Sequence, residues 1–252
     1  MDQLDTGDLI LYHCKKGWFG KLIQIFTKSS YSHVGIVLKN PNFVDPPLVG
    51  MFFWESSDEH CLDSENSKFK IGVEIVDLTT SIQNAYKKNT DNLYYRKLIN
   101  PPTISDEKWR EIHDVVHNKP YDIVPKDWVE GLIQKDPDPQ KTDRFWCSAL
   151  VGYIYTQMGL FTETTDWSIM RPCDFSSEHT LPFLGGASLG KEVYLPNTPS
   201  NTPSNTPSDT PFDTPSDIEV TTTTALLSNN DKQLSLFQRI FQRILNFFMF
   251  WR

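Results

Sequence analysis

A proline recurs every fourth residue near the C-terminal end, at Pro199, Pro203, Pro207, Pro211 and Pro215. Each one removes a backbone donor and fixes its own φ, so neither a helix nor a sheet interior can run through the repeat. The residues between them are Ser, Thr, Asn and Asp with almost no apolar side chains. Such a stretch cannot bury enough surface to offset the entropy of ordering it. Residues 196–230 are therefore expected to be an extended, disordered Thr/Pro/Ser-rich linker, and a plain spacer accounts for them. This places the foldable material in residues 1–195, a length suited to one domain of ordinary size.

Beyond the linker the pattern changes again. Leu234, Phe237, Phe241, Ile244, Leu245 and Phe248 recur at helical spacing, and Lys232, Arg239, Arg243 and Arg252 supply positive charge. The segment ends in Phe247-Phe248-Met249-Phe250-Trp251. Arg239 and Arg243 interrupt any apolar run of the roughly 18 residues that a spanning helix needs. Residues 231–252 are thus expected to form an amphipathic helix lying at a membrane surface, with arginines at headgroup level. Docking of that helix on the protein's own core or on a partner is the alternative.

The chain carries a net charge of −8 and no long basic run, which argues against nucleic acid as a ligand. Met1-Asp2-Gln3-Leu4-Asp5 is acidic and leads straight into a strand-like segment, so no secretory leader is expected. The expected location is the cytoplasmic side, associated with membrane. The four cysteines, Cys14, Cys61, Cys147 and Cys173, show no CxxC spacing. Free thiols are expected rather than disulfides, and zinc is disfavoured because no paired-ligand spacing is visible.

Within residues 1–195 the apolar pattern alternates first and turns helical later. Thr6-Gly7-Asp8 is a turn signal before the strand Leu9–Tyr12, and Trp18–Thr27 has the spacing of a short amphipathic helix. Ser32–Leu38 reads as a strand in which Gly35 implies close approach of another group. Val49–Glu55, Val73–Leu78 and Leu93–Leu98 read as further strands, with a polar loop over 58–70. Ser105 is placed to cap a helix through His117, and a second helix runs from Cys147 to about Met158, stopped by Gly159. Strands followed by helices predict an α+β fold with an antiparallel sheet.

Cys147 opens an apolar helix, Ser148-Ala149-Leu150-Val151-Gly152-Tyr153-Ile154-Tyr155. A thiol at a helix N-terminus meets the positive end of the helix dipole, which favours the attacking thiolate. Free N–H groups of the first turn can hold a developing oxyanion. The nucleophile needs a base, and His33, at the start of a strand in Tyr31-Ser32-His33-Val34-Gly35, is of the right chemistry. Imidazole in turn needs an orienting group, and Glu55 follows three large aromatics in Phe52-Phe53-Trp54-Glu55. His13, His60, His113, His117 and His179 lie in polar or helical surroundings and read as surface residues.

These pieces, in order, resemble the circularly permuted papain-fold proteins of the YiiX/YaeF type within the NlpC-like group, which includes relatives in poxviruses and other large DNA viruses. The resemblance is carried by Gly7-Asp8-Leu9-Ile10-Leu11, Tyr31-Ser32-His33-Val34-Gly35-Ile36-Val37 and Glu55. It continues in Lys119-Pro120-Tyr121-Asp122, Phe145-Trp146-Cys147-Ser148-Ala149-Leu150-Val151 and Arg171-Pro172-Cys173-Asp174-Phe175. It covers roughly residues 6 to 185. In papain the cysteine precedes the histidine; in the permuted group, as here, His and Glu precede Cys. The resemblance implies a circularly permuted papain-like catalytic domain with Cys147 as nucleophile, His33 as base and Glu55 as orienting acid, and Tyr121 and Asp122 in the pocket wall. Where many relatives carry an acidic residue two places after the cysteine, this chain has Ala149.

The implied activity is a thiol hydrolase or acyltransferase that cleaves an amide or ester through an acyl-cysteine. Its substrate would be a peptide, an amide or a lipid-acyl ester, and it would act near a membrane; the viral relatives in that group also imply a virion or infected host cell as a location. No metal or organic cofactor is required, because the thiol–imidazole pair carries the chemistry. The reading of a different class is a catalytically silent binding module tethered to a membrane or virion by its tail.

Overall fold

The computed structural model describes residues 3–13, 31–87, 92–122 and 140–197. The helix expected over 18–27, the linker, the C-terminal helix and Cys14 lie outside the described residues. At the centre is β2 (Tyr31–Lys39), whose Val34, Ile36 and Leu38 enter one apolar core while Val37 enters another. A strand buried on both faces needs neighbours on both edges and covers on both sides. The edges are supplied by β1 (Leu9–His13) and β3 (Met51–Leu62), both antiparallel to it. The sheet continues through β4 (Phe69–Asp77) beyond β3, and through β5 (Asn92–Arg96) and β8 (Val193–Leu195) beyond β1. That gives a six-stranded antiparallel sheet in the order β4-β3-β2-β1-β5-β8. A two-stranded ribbon pairs β6 (Leu98–Ile99) with β7 (Ser188–Leu189).

Helix α1 (Leu78–Lys87) covers one face, packing Leu78, Ile82 and Ala85 against Ile10, Val37, Phe53 and Val76. Helices α2 (Asp106–Val116) and α3 (Cys147–Gln157) cover the other. There Trp109, Ile112, Leu150, Val151 and Ile154 join Leu9, Leu11, Val34 and Ile36. The fold is mixed α+β, as strands followed by helices imply. No helix among the described residues is long and apolar enough to cross a membrane.

Local chemistry sets the boundaries. The Ser105 hydroxyl accepts from the Lys108 N–H (3.2 Å) and caps α2. Past the end of α3, Gly159 takes φ +75°, the left-handed conformation that stops a helix. The Gly7-Asp8 turn is tied into the body of the domain. Buried Asp8 accepts from the Leu98 N–H (2.9 Å) and the Lys97 ammonium (2.6 Å), while the Tyr155 hydroxyl of α3 donates to the Gly7 carbonyl (2.7 Å).

Three expectations are corrected. Leu78 does not end a strand; it begins α1, because Asp77 accepts from the Thr80 N–H (2.8 Å) and starts the helix there. Strand β3 does not end at Glu55 but runs to Leu62, and β4 begins at Phe69, so the polar connection is a short turn. Glu55 is therefore a mid-strand residue, paired across the sheet with Glu74. The expected close approach at Gly35 is present. A Cβ there would meet Phe53 Cζ at 2.5 Å, so the Phe53 ring lies across β2 where a side chain would otherwise stand.

Candidate active site

Helix α3 begins at Cys147, with Trp146 at the N-cap in extended conformation (φ −86°, ψ 169°). No side chain caps this end and no acidic residue lies in its first turn. The positive end of the helix and its first N–H groups are therefore neither capped nor neutralised from within the helix. The first turn is fixed by the Ser148 hydroxyl, which donates to the Met170 carbonyl (2.6 Å). Gly152 lets α3 pack tightly further along: a Cβ would meet Met170 Sδ and Trp167 Cβ, each at 2.8 Å.

The approach to Cys147 is held equally firmly. Phe145 lies beside Tyr121 in a parallel bridge, its N–H donating to the Pro120 carbonyl (3.2 Å) and its carbonyl accepting from the Asp122 N–H (3.1 Å). The same carbonyl accepts from the buried Ser56 hydroxyl (2.7 Å). Ser56 follows Glu55 on β3, so one strand carries the carboxylate and anchors the segment two residues before the thiol. Tyr121 and Asp122 thus buttress the nucleophile's approach through the backbone.

Strands β2 and β3 bring His33 and Glu55 together: His33 Nε2 contacts Glu55 Oε2 directly. The Glu55 side chain is 5% exposed and that of His33 is 17% exposed, so the pair is largely desolvated while the imidazole keeps an open edge. Tyr12 meets the imidazole edge-to-face with centroids 4.9 Å apart, and Phe53, set over Gly35, lies 6.2 Å away. These rings fix the plane of His33. Burial by itself pushes the His33 pKa down. Cys147 and then Glu55, acting by charge and by side-chain hydrogen bonds, overcome that and hold it well above its ordinary value. The three residues singled out in the sequence are thus assembled, with the imidazole interacting with both the thiol and the carboxylate.

Two contributors escape a reading of the sequence. Ser56 gives no motif signal, because its importance lies in a hydrogen bond spanning 89 positions. The Trp146 indole Nε1 is buried with no hydrogen-bond partner among the described residues, a donor that a bound acceptor would satisfy. The expectation that His113 is a surface residue is corrected. It is 8% exposed, packs against the Phe43 and Trp54 rings, and pairs with Glu65. Packing of α2 on the sheet turns this side chain inward, although its neighbours in sequence are polar. The Cys147 and Cys173 side chains are both buried.

Neither a family model nor a curated protein matches the chain. Among solved structures, the crystal structure of the metalloprotein yiiX from Escherichia coli O157:H7, a DUF1105 protein, is similar to it at 21% identity. The likeness covers 62% of this chain and 67% of that one, with a TM-score of 0.38.

Proposed function

We propose that the protein is a thiol-nucleophile hydrolase or acyltransferase acting on an amide or ester through an acyl-cysteine intermediate. The observation that carries this reading is the placement of the His33 imidazole, which contacts Glu55 through Nε2 and is hydrogen-bonded to the Cys147 side chain. An imidazole placed in that way can accept the thiol proton and later deliver it to the leaving group. The order His33, Glu55, Cys147 along the chain is that of a permuted papain-like domain and supports the same reading.

In this mechanism the Cys147 thiolate attacks the carbonyl carbon and forms a C–S bond, while the carbonyl π electrons move onto oxygen. The oxyanion lies at the uncapped start of α3, where the first-turn N–H groups stabilise it; the unpartnered Trp146 Nε1 is a further donor. Glu55 engages Nε2, which leaves Nδ1 of His33 to exchange the proton. His33 protonates the departing amine or alcohol as the C–N or C–O bond breaks, leaving a thioester. Neutral His33 then takes a proton from water, or from an acceptor nucleophile, as that group attacks the thioester. Collapse returns the thiolate and the imidazolium.

The test is intact-mass detection of an acyl adduct on full-length protein given p-nitrophenyl acyl esters and peptide amides. A transient adduct mapped to Cys147 supports the reading; turnover without an adduct at that residue overturns it. The tail is part of the proposal: residues 231–252 rest on a membrane surface and keep the domain near acyl-lipid or membrane-linked substrates. Deleting them is expected to abolish sedimentation with anionic vesicles and leave soluble-ester turnover unchanged. Undiminished sedimentation of the truncated protein would contradict a membrane role for the tail. The silent-module alternative predicts neither adduct nor turnover.

A further inference from the structure

We propose a second, separate site: a divalent transition-metal ion, zinc by chemical preference, held by Glu65, His113 and His117. The two histidines stand four residues apart at the C-terminal end of α2, His117 being its cap residue, so both rings project from one side of the helix. Glu65 comes from the turn between β3 and β4 and reaches both. Its Oε1 lies 2.8 Å from His113 Nε2 and its Oε2 lies 3.3 Å from His117 Nδ1. One ligating atom from each residue falls within 4.8 Å of the others.

That spacing suits an ion. Four ligands at zinc bond lengths of about 2.0–2.1 Å in a tetrahedron stand about 3.4 Å apart. The two separations from Glu65, 2.8 and 3.3 Å, lie within about 0.6 Å of that value. Two imidazole nitrogens and one carboxylate form the donor set that borderline divalent ions prefer. It leaves a fourth position for water.

Three features argue for a built site rather than a chance ion pair. First, His117 Nδ1 is shielded from solvent, yet it has no aligned hydrogen-bond partner among the described residues, although Glu65 is beside it. A buried polar atom in that condition calls for an explanation, and a metal ion supplies one. Second, the ligands are held in place. The Glu65 N–H donates to Asp63 Oδ1 (3.3 Å), and the His113 ring is packed by Phe43 and Trp54. Asp114 lies 3.7 Å from the other nitrogen of His113, where an outer carboxylate orients a ligating imidazole. Third, the local charge favours a cation. Lys70 is engaged by Asp63 and by the Asn118 side-chain oxygen, so with neutral imidazoles Glu65, Asp63, Asp114 and Lys70 leave a net negative site.

An ion there would fasten the β3–β4 turn to the end of α2, a structural clamp independent of Cys147. The sequence signal for it is the spacing His113-x-x-x-His117.

The experiment uses full-length protein stripped with chelator, then titrated with zinc chloride, following bound metal by mass and thermal stability together. The expected result is one ion per chain, a rise in Tm, and the same binding in Cys147→Ala, which rules out the Cys147 thiol as the ligand. His117→Ala, at the most exposed ligand, is expected to weaken binding by more than about 100-fold, the upper end of what losing an outer partner costs. Glu65→Gln should do likewise and guards against misfolding of a single variant. Cobalt in place of zinc should give visible d–d bands without thiolate charge transfer. The proposal is overturned if the stripped protein takes up no stoichiometric metal, if His117→Ala and Glu65→Gln bind as the parent does, or if Cys147→Ala abolishes binding.

Discussion

Cys147→Ala is expected to eliminate both the acyl adduct and turnover, lowering kcat/KM by about 10⁴-fold or more, as removal of a nucleophile does. Stability should change little. The residue is 4% exposed and begins α3, but the helix is anchored by other groups: Ser148 on the Met170 carbonyl, Tyr155 on the Gly7 carbonyl, and Leu150, Val151 and Ile154 in the core. Alanine is also the best helix former and is close in size to a thiol side chain. Activity is measured with the ester that acylates the parent protein, and stability by thermal unfolding. A loss of more than about 3 kcal/mol, the scale of an emptied core position, would mark Cys147 as a packing residue instead.

The second large effect is on pH dependence. The raised His33 pKa means that the imidazolium persists above the ordinary value of 6.5. A group whose folded pKa is raised contributes stability that is fully present below its unfolded value and is lost as pH rises through the folded one. The same titration removes the proton that the leaving group needs. The alkaline limb of kcat/KM should therefore fall well above 6.5. Glu55→Gln keeps the shape but removes one of the two charges that raise His33. It should bring that limb down by about 1 unit or more, the usual effect of a close opposite charge, and reduce the maximum rate. A limb that stays fixed in Glu55→Gln would mean that Glu55 does not act on His33.

What the sequence made legible and what it hid divide along a physical line. The β-branched strand Ser32–Leu38, the Ser105 cap, the Gly159 stop and the apolar helix opened by Cys147 are local signals, and the structure places each of them as read. The approach of Phe53 over Gly35 follows from the missing side chain. What stayed hidden depends on distant partners or on an unmarked switch of period. Helix α1 follows β4 without a glycine or proline between them, so the apolar strand pattern runs on into Leu78. Strand β8 has three residues and exists because β5 offers it an edge. The inward turn of His113 is decided by Phe43, Trp54 and Glu65, none of which is near it in sequence. His33, Glu55 and Cys147 are singled out by their joint pattern and by the resemblance to the permuted papain-fold group; a strand entry, a carboxylate after aromatics and a helix start do not by themselves assign them roles.

The central claim is that Cys147 is an activated thiol and that His33 activates it. The most direct measurement is labelling of full-length protein with a limiting amount of iodoacetamide near neutral pH, mapped by mass spectrometry, in the parent and in His33→Ala. The account predicts that Cys147 is alkylated well ahead of Cys14, Cys61 and Cys173, and that this lead is lost in His33→Ala. Equal, slow labelling of all four cysteines in the parent, or a Cys147 lead unchanged without His33, would contradict it.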